Sequence, residues 1–182
     1  MSTRERWLEQ GLAILREHGI AGLGVDAVAR RLGLTKGSFH HHFAGMPDYR
    51  RAVLDRYERD MLDAIAVLRD RVASLPPADA IAALPGQASG LDLRLDTAVR
   101  GWAFQDLEAR CALERVDSAR LGVLEELWRA LLGDPADARV AALAPHLIVI
   151  GASVAQPPPE PGELRAVFDL LARIAPAVPP AP

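Results

Sequence analysis

Apolar side chains recur at spacings of three and four along nearly the whole of this chain, and no segment shows a strand pattern. That rhythm gathers them on single faces of helices. From Arg4 to Glu17, the residues Trp7, Leu8, Gly11, Leu12 and Leu15 share a face. Tyr49, Val53, Leu54, Tyr57, Met61, Ile65, Leu68 and Val72 stripe a long helix over 48–73. Further helices are expected at 91–104, 107–132, 136–155 with a bend before Pro145, and 163–174. Leu, Ala and Arg dominate, and β-branched residues are sparse outside "HLIVIG", which favours helix. "SLPPADAIAALPGQASG" (74–90) reads as a Pro/Gly-interrupted linker with about one helical turn in it. "QPPPEPG" (156–162) reads as a rigid spacer, and the tail 177–182 as disordered. The expected fold class is all-α, with about nine helices.

The 182 residues suffice for one core, or for a small module and a larger one. Half are hydrophobic and a quarter charged, an ordinary balance for a soluble globular protein. The single Cys111 excludes an internal disulfide framework and fits a reducing cytosol. "MSTRERWLEQ" is charged from its fourth residue, so no signal peptide and a cytoplasmic location are expected. "VAALAPHLIVIGASVA" (140–155) holds Pro145 and His146 and reads as a buried helix, too short to span a bilayer comfortably. Charge is uneven: residues 1–59 hold 10 Lys+Arg against 7 Asp+Glu, and residues 60–182 hold 11 against 17. A basic head on an acidic body is what a small nucleic-acid reader attached to something else would show.

"VDAVARRLG-LT-KGSFHHHF" is two short helices joined by a tight turn, with the 4–17 helix to cover them. Gly24 is the expected N-cap of the first and Gly33 its stop; Thr35 is the expected N-cap of the second, over 36–43. Val28, Leu32, Leu34, Phe39 and Phe43 build a small core. Lys36, Gly37, Ser38, His40, His41 and His42 are then left on the outer faces and the N-terminal end of the third helix, a set suited to phosphate oxygens and base edges. A metal site fits poorly, because consecutive positions on a helix point about 100° apart and no Asp, Glu or Cys stands at a helpful offset. "TKGS" lacks both the glycines and the strand of a phosphate-binding loop. No carboxylate pair or nucleophile–base pair stands out, so no enzyme, metal or cofactor is expected.

Residues 5–57, through "LAILREHGIAGLGVDAVARRLGLTKGSFHHHFAGMPDYRRAVLDRY", resemble the N-terminal DNA-binding domain of the TetR family of transcriptional regulators. "VRGWAFQDLEARCALERVDSARLGVLEELWRALLG" (99–133) is similar to the ligand-binding half of one branch of that family. The resemblance implies a helix-turn-helix domain over 1–47 and a helical effector-binding and dimerisation domain over 48–176. It implies a homodimer on double-stranded DNA, with a roughly palindromic operator, more often a repressor, released by a small-molecule effector. Carried over by position, the DNA-binding residues are Thr35, Lys36, Gly37, Ser38, His40, His41 and His42, with His40 in place of the usual tyrosine. Tyr57, Met61, Ile65, Trp102, Phe104 and Cys111 are the candidates for the effector pocket. Leu143, Leu147, Ile150, Phe168 and Leu171 are those for the dimer interface. Three departures stand out: Gly24 for a Ser/Thr cap, Asp26 where polar or basic contacts are common, and Met46 for a phosphate-reaching lysine. They leave a competing reading, a helical scaffold whose helix-turn-helix has weakened or lost DNA binding.

Overall fold

In a computed structural model that describes residues 2–88 and 92–174, the described residues form nine helices and no strand. These are α1 (Thr3–Gly22), α2 (Val25–Leu32), α3 (Lys36–His40), α4 (Met46–Ala73), α5 (Pro77–Ala88), α6 (Leu93–Ala103), α7 (Leu107–Leu132), α8 (Pro135–Val154) and α9 (Pro161–Ile174). They fall into two compact units, one within Met1–Leu62 and Arg94–Val116, the other within Asp63–Leu93 and Asp117–Pro182. The all-α expectation holds. The tail 177–182 lies outside the described residues.

The first unit is organised around aromatic rings. Trp7 and Phe39 meet edge to face at 5.5 Å, Phe39 and Tyr49 at 5.4 Å, and Phe43 and Tyr49 at 4.8 Å. All four rings are buried; such pairs contribute about 0.5–1.5 kcal/mol each beyond the area they bury. The Tyr49 hydroxyl donates to the Trp7 carbonyl oxygen at 2.7 Å, tying α4 to α1. That approach requires Gly11, since a Cβ there would lie 2.4 Å from the Tyr49 hydroxyl oxygen and 2.8 Å from Val53 Cγ2. Further along, Arg51 grips Glu108 and Arg115 grips Glu58, each through two N–H donors, bracing α4 against α7.

Helix α1 opens with a capping box: Glu5 N–H donates to the Ser2 hydroxyl and Ser2 N–H to the Glu5 carboxylate. The helix leaves the helical region at Gly19, whose φ is 65°, and a last turn then carries it to Gly22.

The second unit is mainly aliphatic, with Trp128 and Phe168 as its aromatic members. Val72, Ala80, Ile81, Leu121, Val123, Leu127, Trp128, Ala138 and Ala142 form its main cluster, and Ala152, Leu164 and Phe168 a smaller one. Two expectations are corrected here. The segment expected as a linker contains α5, twelve residues long. Pro77 starts that helix, where a missing N–H costs little. Burial of Ala80 and Ile81, with Leu84 beside them and α9 packed along the helix, outweighs the breakers Pro85 and Gly86. Helix α8 begins at Pro135, capped by Asp134, and continues through Pro145. At 20 residues, with an 18-residue stretch of mean hydropathy 1.3, it is long and apolar enough to cross a membrane by length and composition, contrary to the expectation from 140–155 alone. It nonetheless buries Ala138, Ala142, Pro145, His146, Ala152 and Ser153 within the protein.

Candidate nucleic-acid interface

The turn between α2 and α3 is built from backbone requirements. Gly33 takes the left-handed conformation (φ 64°), and the Gly33 and Leu34 N–H groups donate to the Arg30 and Ala29 carbonyls, closing α2. Only glycine adopts that φ without strain. Gly24 caps α2 with its backbone alone. Two residues past Gly33, Thr35 restarts the chain, its hydroxyl accepting from Ser38 N–H at 3.4 Å. Thr35 is therefore committed to holding α3 as well as lying at the surface.

The third helix stops at His40, three residues sooner than expected. His42 and Phe43 N–H both turn back to the Phe39 carbonyl. The His42 bond is the tighter i→i+3 kind that ends a helix, while Phe43 stays one turn from Phe39 and shares its cluster with Tyr49. His41 and His42 consequently sit on a turn, not on a helix face.

The exposed set is nonetheless together. Lys36, Gly37, His40 and His41 are exposed, and Ser38 and His42 half-buried. The His40 ring stands edge-on to Phe39 at 5.3 Å, and His42 lies against Phe43 at 6.3 Å. The Arg4 guanidinium lies 5.3 Å from the centre of the Phe43 ring, a fixed cation that sequence reasoning missed. Arg31, by contrast, is taken by Glu17 of α1 through two N–H donors, and that hydrogen bonding holds the Glu17 carboxyl below its ordinary range. Lys36 Nζ lies 2.8 Å from the Asp26 carboxylate. An ion pair so exposed contributes about 0–1 kcal/mol. Among the described residues, no three His, Cys, Asp or Glu side chains are grouped to hold a metal ion.

Five of the six candidate pocket residues fall in the first unit, and Ile65 in the second. Tyr57 and Trp102 are buried in the first unit, where Met61 and Cys111 are half-buried, the latter a free thiol. Phe104 is 82 % exposed, and Ile65 packs in the second unit. A different place offers room: a carbon-lined recess of about 180 Å³ within the second unit, among Ile81, Leu84, Trp128, Ala141, Phe168 and Leu171.

Of the five residues expected at a dimer interface, Leu147 is exposed. Leu143 and Leu171 are half-buried against the two clusters, Ile150 is half-buried, and Phe168 is buried. Exposed apolar residues that the sequence reading passed over flank Leu147: Val140, at 68 %, and Val154 on α8, with Val167 and Leu170 on α9. The signal was available, since 140, 147 and 154 are seven apart and so share a helix face.

Residues 8–48 match the tetR family of bacterial regulatory proteins. This is a tetR-family head. Solved structures extend the likeness over the rest of the chain. A TetR-family transcriptional regulator from Streptomyces coelicolor is 17% identical, with a TM-score of 0.77 over 96% of this chain and 88% of that one. A transcriptional regulator from Rhodococcus sp. Rha1 is 20% identical, with a TM-score of 0.74 over 98% and 100%. The regulator FadR from Bacillus subtilis, solved in complex with stearoyl-CoA, is 13% identical, with a TM-score of 0.67 over 94% and 96%. No curated protein matches the chain in sequence. The fold behind the tetR-family head is thus the all-α fold of these regulators.

Proposed function

We propose that the chain is a ligand-responsive DNA-binding regulator, a cytoplasmic homodimer that represses from a roughly palindromic operator and is released by a small molecule. Reading of DNA is assigned to residues 1–47, and effector binding and pairing to 48–176. The observation that carries the proposal is the division of one short segment: Phe39 and Phe43 are locked into the core while Lys36, Gly37, Ser38, His40, His41 and His42 line the outside. Rigid backing of a donor-rich face suits phosphate and base contacts in a major groove.

Pairing is supported by the exposed apolar residues Val140, Leu147 and Val154 on one face of α8, and Val167 and Leu170 on α9. Helices exposing such faces associate as four-helix interfaces between two copies. The recess in the second unit supports an apolar effector: at about 180 Å³ it exceeds the roughly 150 Å³ carbon-lined cavity that admits benzene. The stearoyl-CoA held by FadR is consistent with an apolar group there. An effector that binds one spacing of the two heads better than the other shifts the dimer between DNA-binding and free states.

Selection from a randomised duplex pool by the full chain, at about 100 mM salt, tests the proposal. The expected product is an inverted repeat with half-sites about one helical turn apart. A folded, dimeric protein that enriches no sequence would contradict it.

A further inference from the structure

Lys36 is the only lysine in the chain, and Asp26 holds its ammonium at 2.8 Å. Asp26 lies in the first turn of α2 and Lys36 at the first residue of α3, so the helix-turn-helix itself brings the two together. Their side chains are 64 and 68 % exposed. Stability gives little reason for such a pair, because solvent screens it. Phosphate contact gives a reason against it, because a carboxylate is repelled by the backbone of a duplex.

A carboxylate has one favourable use on a DNA-facing surface: it accepts from an amino group at a base edge, cytosine N4 above all. An ammonium donates to guanine O6 and N7. Both targets belong to one base pair. Guanine O6 accepts from cytosine N4 within that pair, so the two atoms stand about 2.9 Å apart. Lys36 Nζ and the Asp26 carboxylate oxygen stand 2.8 Å apart. The donor and acceptor of the protein therefore match the acceptor and donor of the base pair in both chemistry and spacing.

We propose that Lys36 and Asp26 jointly read one G·C base pair in each half-site. Lys36 donates to guanine O6 and N7, and Asp26 accepts from cytosine N4. The ion pair persists in the complex, so neither charge is buried alone in the groove. With A·T in that place, adenine standing where guanine stood, the match fails on both sides: the adenine N6 amino group presents a second donor to Lys36, and thymine O4 presents an acceptor to the Asp26 carboxylate. This assignment rests on the reading of the head as DNA-binding.

The test uses the full chain, wild type, D26A, K36A and the double variant, with duplex selection followed by affinities for the selected duplex and for one carrying A·T at the assigned position. Both sites are exposed, so the variants keep the core intact. The wild type is expected to prefer G·C at one position per half-site by about tenfold. D26A loses that preference at that position alone while binding the A·T duplex at least as well as the wild type does. K36A loses the same preference with weaker binding to all duplexes, and the double variant loses no more preference than either single one, the mark of coupled residues. An unchanged preference in D26A overturns the joint reading and leaves DNA binding standing. So does a uniform gain on every sequence with no preference lost, which would make Asp26 a repulsive charge only. A wild-type chain that binds no duplex selectively overturns the reading of the head, and this inference with it.

Discussion

The two units place their apolar residues in opposite ways. In the first, Trp7, Phe39, Phe43 and Tyr49 interlock around the gap left by Gly11, and the outward side of α3 is polar. In the second, small and aliphatic residues leave a recess of about 180 Å³, and Val140, Leu147, Val154, Val167 and Leu170 face outward. Helices of eight and five residues, as α2 and α3 are, cannot stand in water by propensity alone. A tight aromatic backing is what fixes them, and fixed polar groups are what a nucleic acid can be read by. The second unit is backed by aliphatic packing instead, which holds even α5 in place, and its unfilled apolar surface is suited to apolar occupants.

The largest effect is expected at the outward face. Leu147→Glu with Val154→Glu puts charges where two copies would bury them, and should weaken dimerisation by about 3–5 kcal/mol. Sedimentation equilibrium measures this; an unchanged dimer would break the assignment of that face.

Next comes a pair of enlargements with opposite outcomes. Gly11→Ala should cost about 1–3 kcal/mol by overpacking against Tyr49, despite the better helix propensity of alanine. Ala172 also lines the recess, and Ala172→Leu, which fills it, should be neutral or stabilising by up to about 1 kcal/mol. Urea unfolding of both variants compares the units directly, and equal losses would erase the contrast.

Smaller still is the alkaline limb. Burial holds the Tyr49 phenol well above its ordinary value. The raised folded value means that its contribution is fully present below about pH 10, the unfolded value, and is lost as pH rises from there toward the folded one. Stability measured from pH 8 to 11 should fall by up to about 1.4 kcal/mol per pH unit from this group. Tyr49→Phe should flatten that part of the fall while costing about 0.5–1.5 kcal/mol at neutral pH through the lost hydrogen bond to Trp7.

Least affected should be Glu58→Gln. Hydrogen bonding to Arg115 holds the Glu58 carboxyl below its ordinary range, so its contribution is present above the unfolded value and lost as the solution is acidified. A partner that is largely exposed limits the change to under about 1 kcal/mol, seen as a shallower acid-side loss in the variant.

What could be read from the sequence follows the same division. The apolar stripes, Gly33 and Thr35 gave the head nearly to the residue, because short-range rules govern caps, turns and helix faces. The end of α3 differs by three residues, since Phe39 and Phe43 at i, i+4 suit a continued helix and a closing turn equally, and periodicity does not separate the two. The Lys36–Asp26 pair joins two helices across a turn, a tertiary matter that periodicity does not carry. The Ser2–Glu5 capping box was legible and simply passed over. In the second unit, α5 was lost behind Pro85 and Gly86, because local breaker signals say nothing of the burial that overrides them. The pocket candidates, chosen by residue type, do not include the residues lining the recess, since a recess is defined by where atoms are missing.

The most direct test of the central claim is a hydroxyl-radical footprint of the full chain on a selected duplex, with the number of bound chains counted alongside. Two chains per duplex, protecting phosphates that flank two major grooves about one helical turn apart, are the predicted result. A single bound chain, or protection without a twofold pattern, would contradict a paired reader built from the polar face of α3 and the apolar faces of α8 and α9.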